Sequence, residues 1–324
     1  MNENSEARLV EQPAIELFVG LGYETVNAYK EINGANILGR ETTAEVVLVP
    51  RLRAALQRLN PSLSSEAIKL AIEELTRPRN VLSLVNANRE IYRLLKDGVK
   101  VRIHDTEGGE TVETVRVIDW DPDTSTNNDF LLVSQLWVTG QVHTRRPDLI
   151  AFVNGIPLVL CEFKASHKPV EDAFNDNVTD YKDTIPQLFW YNALIILSNG
   201  SKSLVGSLTA GMEHFFEWKK IESEGEEGTV SLETMIRGIC DKRRLLDIVE
   251  NFTLFSDASG DIRKIIAKNH QYLGVNSALE AVYSIRENQG RLGVFWHTQG
   301  SGKSFSMIFF ARRYCARSRA TGPL

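Results

Sequence analysis

Arg146-Pro147-Asp148-Leu-Ile-Ala-Phe-Val-Asn154-Gly155-Ile-Pro157-Leu-Val-Leu-Cys-Glu162-Phe163-Lys164 is the stretch whose reading decides the fold. Two runs rich in Leu, Ile and Val, 148–153 and 157–164, flank an Asn-Gly pair, a strong short-range signal for a β-hairpin. Long apolar strands rarely carry charge. Here an acid opens the first strand, and an acid and a lysine close the second. Glu162 and Lys164 are two apart and share a sheet face, while Phe163 points the other way. Register decides whether Asp148 joins them. A two-residue Asn154-Gly155 loop pairs Val153 with Ile156 and Asp148 with Cys161, which leaves the two carboxylates on opposite faces. A three-residue Val153-Asn154-Gly155 loop, with Gly155 in the left-handed position of a bulged hairpin, pairs Asp148 with Leu160 and puts both carboxylates on one face. We expect the three-residue loop.

Two carboxylates on one face suit a hard divalent cation such as Mg²⁺, with the Phe163 carbonyl as a further ligand. Such an ion lowers the pKa of a bound water and neutralises charge building on a phosphate. Lys164 beside it can orient that water or stabilise the developing charge. Together these groups suit metal-assisted hydrolysis of a phosphodiester. The triplet alone leaves open a second reading, a solvated strand end with a surface Glu-Lys pair.

The whole run PDLIAFVNGIPLVLCEFK resembles the PD-(D/E)-x-K nuclease core of the restriction subunit of Type I restriction-modification enzymes. That resemblance implies Asp148 and Glu162 as metal ligands and Lys164 as the catalytic lysine. Further on, Pro186-Gln187-Leu-Phe-Trp-Tyr191-Asn192 resembles the Q-x-x-x-Y element of the family, which implies that Gln187 and Tyr191 help to position DNA and the core. Their spacing puts both on one helix face, and Leu188, Phe189 and Trp190 between them read as core side chains. The family also places a Glu on its first helix. Glu11 fits that position better than Glu16, and a solvated acid on an amphipathic helix is the other reading of either residue.

The chain has 324 residues, enough for two domains or one large one. With 43% hydrophobic and 24% charged residues it has the make-up of an ordinary soluble globular protein. A formal net charge of −5 requires any nucleic-acid site to concentrate its positive charge locally. Arg145, Arg146, Lys164, His167 and Lys168 flank the hairpin and form such a patch. Cys161, Cys240 and Cys315 are far apart and show no metal-ligand spacing, so reduced thiols and a cytoplasmic location are expected. The polar, acidic start is unlike a signal peptide, and no apolar run is long enough to span a membrane.

Along the chain, 7–21 has helical spacing and stops at Gly22-Tyr23, with Pro13 suggesting a start near residue 12. Residues 43–96 read as helical, interrupted by Pro50 and by an Asn60-Pro61 turn, with a capping pattern at Ser64–Glu66. The arginines of this region, among them Arg51, Arg53 and Arg79, read as solvated. Segments 99–106, 111–120 and 129–139 read as strands continuing into 148–164, and Asp119, Asp121 and Asp123 as a loop cluster. A polar helix at about 170–182, a strand at 192–198 with a second at 203–208, and two helices at about 230–250 follow. The result is an α/β fold, a mixed sheet flanked by helices. Residues 251–260 are a candidate boundary, giving an endonuclease domain at 1–255 and a second unit at 256–324.

The second informative stretch is Arg291-Leu-Gly-Val-Phe-Trp-His297-Thr298-Gln299-Gly300-Ser301-Gly302-Lys303-Ser304. An apolar strand at 292–296, a Gly-rich loop and an apolar helix from about 303 form the context of a phosphate-binding loop. Backbone N–H groups of Thr298, Gly300, Ser301 and Gly302 face the phosphates, Lys303 reaches the β- and γ-phosphates and Ser304 binds Mg²⁺. His297 stands where the generic pattern has its first glycine. The run WHTQGSGKS nonetheless resembles the start of a RecA-like superfamily 2 helicase lobe, as the Type I restriction subunit carries it. Gln271 resembles the adenine-reading glutamine of such motors. No acidic motif of the D-E-x-H kind follows Ser304, so the chain reads as an N-terminal piece of a longer subunit, with negligible ATP hydrolysis of its own.

The resemblance implies an endonuclease that cuts double-stranded DNA with Mg²⁺, driven in the whole enzyme by an ATP-dependent motor. Modification and specificity subunits would be its partners. Two other readings stay open: a stand-alone repair-type nuclease, and a non-catalytic module that docks DNA or another subunit.

Overall fold

The computed structural model describes residues 3–104, 109–121, 123–257 and 260–321. Helix α1 (Glu3–Gly20) runs through Pro13 rather than beginning near residue 12, because Val10, Ala14 and Phe18 bury one stripe across both halves. It leads through Gly22, with its positive φ, into β1 (Glu24–Asn27). Three helices follow: α2 (Val49–Leu59), α3 (Ser65–Thr76) and α4 (Leu84–Asp97). Pro50 opens α2 instead of interrupting it, as suits a ring that fixes a helical φ and has no N–H to satisfy. Residues 43–48 are therefore not helical. Ser64 caps α3 as its sequence signals, its hydroxyl accepting from the Ala67 N–H at 3.1 Å.

The next segment departs from expectation. Strands β2 (Val99–His104) and β3 (Glu110–Val115) pair only with each other and do not extend the main sheet. Only β4 (Phe130–Ser134) of the predicted 129–139 strand joins it. Two short strands, β5 (Val138–Thr139) and β6 (Thr144–Arg145), form a separate hairpin. Asp119 does lie in a loop, its Oδ2 accepting from Thr124 and Asn127 at 2.9 and 2.8 Å.

The quoted hairpin forms β7 (Leu149–Val153) and β8 (Ile156–Phe163). Helix α5 (Thr179–Thr184) continues a π-helical turn at Ala173–Val178, and is followed by α6 (Gln187–Tyr191), β9 (Leu194–Ser198) and β10 (Ser203–Gly206). The main sheet is mixed, in the order β1-β4-β7-β8-β9-β10, with β1–β4 and β8–β9 parallel. Strands β4, β7, β8 and β9 are buried along their whole length. Both faces are covered, which is why these strands read as unbroken apolar runs rather than alternating ones. Helix α1 packs on β8, and α6 packs on both β8 and α4.

The turn of the hairpin has two residues, not three. Val153 pairs with Ile156, and Asn154 and Gly155 both have positive φ, 52° and 77°. The register then shifts between Ala151 and Phe152: Phe152 faces Pro157, whereas Ala151 faces Val159. Leu158 is the extra residue of a β-bulge, next to a proline that has no N–H to give the ladder. The bulge restores the parity assigned above to a longer loop. Asn154 is fully buried, its Nδ2 donating to Val117 O (2.9 Å) and Asn128 Oδ1 (2.8 Å) and its Oδ1 accepting from the Asp129 N–H (2.7 Å). A Cβ on Gly155 would stand 2.6 Å from the Leu48 carbonyl oxygen, so the turn packs too closely under α2 for any other residue.

Helices α7 (Leu232–Cys240) and α8 (Lys242–Asn251) fall where predicted. The stretch after them is not a bare linker, since β11 (Thr253–Ser256) pairs with β12 (Arg263–Ile266). From β12 the fully buried Lys264 amine donates to Asn88 Oδ1 (2.9 Å) and Asn192 O (2.6 Å), tying this hairpin to α4 and to the chain after α6. Asn88 in turn donates to the carbonyls of Phe189, Trp190 and Asn192. Helices α9 (Asn269–Tyr283) and α10 (Lys303–Thr321) close the described chain. On α10, Arg312 donates to the carbonyls of Thr253 (2.5 Å) and Glu250 (3.1 Å) and to the Tyr92 hydroxyl (3.0 Å), and Arg313 pairs with Asp247 at 3.1 Å. Cys161 and Cys240 are buried and Cys315 is exposed, all three as free thiols. Among the described residues no helix is long and apolar enough to cross a membrane.

Two outcomes follow for stability. Asn154→Ala loses three buried hydrogen bonds and strains a left-handed position, and should cost about 3 kcal/mol or more in urea unfolding. Asn154→Gly loses the same bonds without the strain, and should be less destabilising by about 1 kcal/mol. Burial pushes the Lys264 amine down to about 7 from 10.5. Between those values the unfolded chain carries the extra proton, so Lys264 favours the folded state increasingly as pH rises. The stability of wild type relative to Lys264→Met should therefore climb from pH 7 to pH 10, by at most about 1.4 kcal/mol per pH unit.

Candidate active site

Continuing the register beyond Leu149 and Cys161 sets Asp148 opposite Glu162. The two acids are laced reciprocally. The Asp148 N–H donates to Glu162 Oε1 at 3.1 Å, and the Phe163 N–H donates to Asp148 Oδ2 at 2.8 Å. Glu162 is fully buried and its Oε2 has no partner at hydrogen-bond distance. Asp148 is half-buried. Burial pushes its carboxyl up to about 6, with the Glu11 charge adding to the rise, while the Phe163 N–H, Arg146 and Lys164 oppose it. Burial likewise pushes Glu162 well above the usual carboxylate range, and the Asp148 charge pushes it further. Negative charge is thus gathered in a place that leaves it undercompensated, an arrangement suited to a cation.

Lys164 extends β8, its N–H donating to Ser198 O at 2.9 Å. Its amine donates to Asn177 Oδ1 at 2.7 Å and lies 3.5 Å from Asp176 Oδ2. Asn177 also donates to the Tyr181 hydroxyl at 3.3 Å, and that hydroxyl faces Glu162 and favours its charged form. Of the two acids weighed on α1, Glu11 is buried and Glu16 exposed. Glu11 Oε2 accepts from Gln135 Nε2 at 3.0 Å, and its charge acts on Asp148. Among the described residues no group of three or more His, Cys, Asp or Glu side chains is placed to hold a metal ion. Any ion here would rest on Asp148 and Glu162 with backbone or solvent oxygens.

Gln187 and Tyr191 lie elsewhere. Gln187 Nε2 donates to Thr139 O at 2.9 Å, and the buried Tyr191 hydroxyl donates to Leu75 O at 2.9 Å. They brace α6 against β5 and α3, and both line a cleft of about 1270 Å³ whose walls include neither Asp148, Glu162 nor Lys164. Leu188, Phe189 and Trp190 are buried, as expected of core residues.

In the Gly-rich loop the structure departs from the expected strand–loop–helix. Residues 292–296 form no strand, and Val294 and Trp296 are 91% and 76% exposed. A buried strand needs neighbours, and among the described residues after 267 there is no other strand to pair with it. The loop itself is closed on its own groups. Lys303 Nζ donates to the carbonyls of His297 (2.9 Å) and Thr298 (3.1 Å). Gln271 Nε2 donates to Gly302 O (3.0 Å) and Ser301 O (3.3 Å). Gly300 and Gly302 have positive φ, and a Cβ on Gly302 would lie 2.7 Å from Gln271 Nε2. Ser304 opens α10 directly after Lys303. The sequence-distant Gln271 and the loop are thus brought together.

Comparison with known proteins gives a family match across each of the two stretches. Residues 3–214 match the family described as Type I restriction enzyme R protein N terminus. The chain belongs to this family. Residues 270–321 match a second family, SWI2/SNF2 ATPase. The HindI endonuclease subunit of Haemophilus influenzae, a Type I restriction enzyme, is 35% identical over 100% of this chain and 31% of its own length. The MjaIXP endonuclease subunit of Methanocaldococcus jannaschii is 29% identical over 99% of this chain and 32% of its own length. The chain thus spans about a third of the curated relatives it matches.

Three residues around the candidate site of this R-protein family member were not singled out from sequence: Gln135, Asn177 and Tyr181. Gln135 ends an apolar strand in a positive-φ conformation of 57°, which is uncommon for a residue of its type. The other two lie on the polar helix 170–182, whose excess of Asn and Asp directly after Lys164 was their one signal.

The raised Asp148 carboxyl fixes a sign. Its pKa is near 6 in the folded chain and near 3.8 unfolded, so the folded state binds the extra proton between those values and loses stability as pH rises through them. Asp148→Asn should therefore melt higher than wild type at pH 7.5, by the equivalent of about 1 kcal/mol after allowance for solvent screening. The advantage should vanish below about pH 4, the unfolded-state pKa. A variant that melts lower at pH 7.5 would count against the electrostatic picture.

Proposed function

We propose that this chain carries the DNA-cutting site of a Type I restriction enzyme, hydrolysing phosphodiester bonds with a divalent cation, Mg²⁺ in the cell. The observation that carries this reading is the laced pair Asp148–Glu162, which holds a buried carboxylate oxygen without a partner. An unpaired buried acceptor is costly, and a hard cation is the ligand that would satisfy it. When bound, the ion would supply charge neutralisation at the phosphate and a more acidic water.

The residues of the chain do the rest. Asp148 and Glu162 hold the ion, and Glu11, through its charge, keeps the Asp148 carboxylate a stronger base toward it. Lys164, steadied by Asn177, presents an ammonium beside the pair, where it can orient the attacking water and offset charge on the phosphate oxygens. Tyr181 supports Glu162 from behind. Gln187 and Tyr191 contribute by holding α6, not by touching the reacting atoms.

In the whole subunit, cutting would be coupled to ATP-driven movement of double-stranded DNA, with modification and specificity subunits as partners. The Thr298–Ser304 loop would take the triphosphate, with Lys303 leaving its loop carbonyls for the β- and γ-phosphates and Gln271 reading the adenine. In an assembled enzyme, Asp148→Ala or Lys164→Ala should reduce plasmid cleavage at least a hundredfold while translocation continues at the wild-type rate. Cleavage at the wild-type rate by either variant would refute the assignment.

A further inference from the structure

Of the basic residues that flank the hairpin, one is held in readiness and the others are engaged. Arg145 donates from Nε and Nη2 to the Asp180 carboxylate and from Nη1 to the Thr144 carbonyl, and Lys164 is bound to Asn177. Arg146 has neither an ion pair nor a hydrogen bond from its guanidinium among the described residues. It lies instead against two aromatic faces, with its guanidinium carbon 5.1 Å from the ring centre of Tyr29 and 5.1 Å from that of Trp137. The two rings are 6.2 Å apart and inclined at 47°. Their placement is fixed from behind. Trp137 Nε1 donates to Tyr29 O at 2.9 Å, and the Trp137 carbonyl accepts from Arg40, which is itself locked to the buried Glu31. Tyr29 is 49% exposed, so this clamp opens to solvent.

A guanidinium packed by its face on aromatic rings keeps its in-plane N–H fork free, and that fork matches the oxygens of a phosphate. Arg146 is two residues before Asp148 along a segment straightened by Pro147, close enough for its charge to be felt at the Asp148 carboxyl. We propose that Arg146 is the phosphate-gripping residue of the site: held by Tyr29 and Trp137, it binds a non-bridging oxygen of the DNA backbone beside the scissile phosphodiester. The inference rests on the reading of Asp148 and Glu162 as the cation-binding pair of a DNA-cutting site. Arg146 binds and positions DNA, and the hydrolysis itself stays with the acids and Lys164.

The test uses the chain of 324 residues with a fluorescent 20-base-pair duplex, Ca²⁺ replacing Mg²⁺, and anisotropy read across a KCl series. Arg146→Ala should weaken binding by about threefold to tenfold and lower the salt slope by about 0.9, one phosphate contact. Arg146→Lys should keep the slope and lose part of the affinity, since it retains the charge without the fork. Mn²⁺ titration by calorimetry separates the two ideas. Arg146→Ala should bind Mn²⁺ at least as tightly as wild type, because it removes a positive charge, whereas Asp148→Ala should lose Mn²⁺ binding. Equal affinity and equal slope for wild type and Arg146→Ala, including no measurable binding by either, overturn the role of Arg146. So does a loss of Mn²⁺ affinity in Arg146→Ala with an unchanged slope. Undiminished Mn²⁺ binding by Asp148→Ala overturns the underlying site.

Discussion

The reciprocal contact between Asp148 and Glu162 depends on one extra residue in a strand. With a plain two-residue turn and an unbroken ladder, Asp148 would stand opposite Cys161 and its carboxylate would leave the face of Glu162. The bulge at Leu158 moves the pairing by one, so that each acid meets the backbone of the other strand. The bulge is in turn secured by a turn that cannot slip. Asn154 is bonded on three sides in the interior, and Gly155 lies against α2 with no room for a side chain. Register, a property of the entire hairpin, is thereby converted into the meeting of two particular carboxylates.

The electrostatic character of the site follows from the same placement. Covered strands on both sides exclude water from Glu162, and Glu11 on α1 adds a third negative group at the edge. Such a cluster opposes folding, and a protein keeps an arrangement of this kind where a ligand of opposite charge repays it. The positive groups around it divide by how firmly each is bound. Arg145 belongs to the architecture through Asp180, Lys164 is steadied by an amide, and Arg146 is steadied by ring faces alone.

Much of this was legible in the residues. The hairpin, the mixed sheet and the polar helix after Lys164 all follow from local patterns that tertiary packing did not override. Where the reading failed, the cause was non-local. The choice between two turns rested on parity, and a bulge supplies the same parity by another route; nothing near Leu158 except Pro157 announces it. Segments 99–106 and 111–120 alternate like sheet strands, and strands form at Val99–His104 and Glu110–Val115, with 105–106 outside the described residues and 116–120 irregular, but no local signal says which sheet they enter. Pro50 looked like a break within a helix and is its beginning. The apolar run 292–296 has the composition of a buried strand, and without neighbouring strands that composition is not enough. Glu11 was preferred to Glu16 on a resemblance, and burial agrees with that preference, though no spacing rule on an eighteen-residue helix could have chosen between them.

Helix α10 begins at the glycine-rich loop and, nine residues after Lys303, sets Arg312 on the carbonyls of Glu250 in α8 and Thr253 in β11 and on the Tyr92 hydroxyl of α4. A helix is stiff along its axis. The loop at its start and the groups held by Arg312 are therefore connected by a rigid element and not by slack chain. The glycine-rich loop and α4, the helix that packs on α6 beside the hairpin, are thus joined by a single rod.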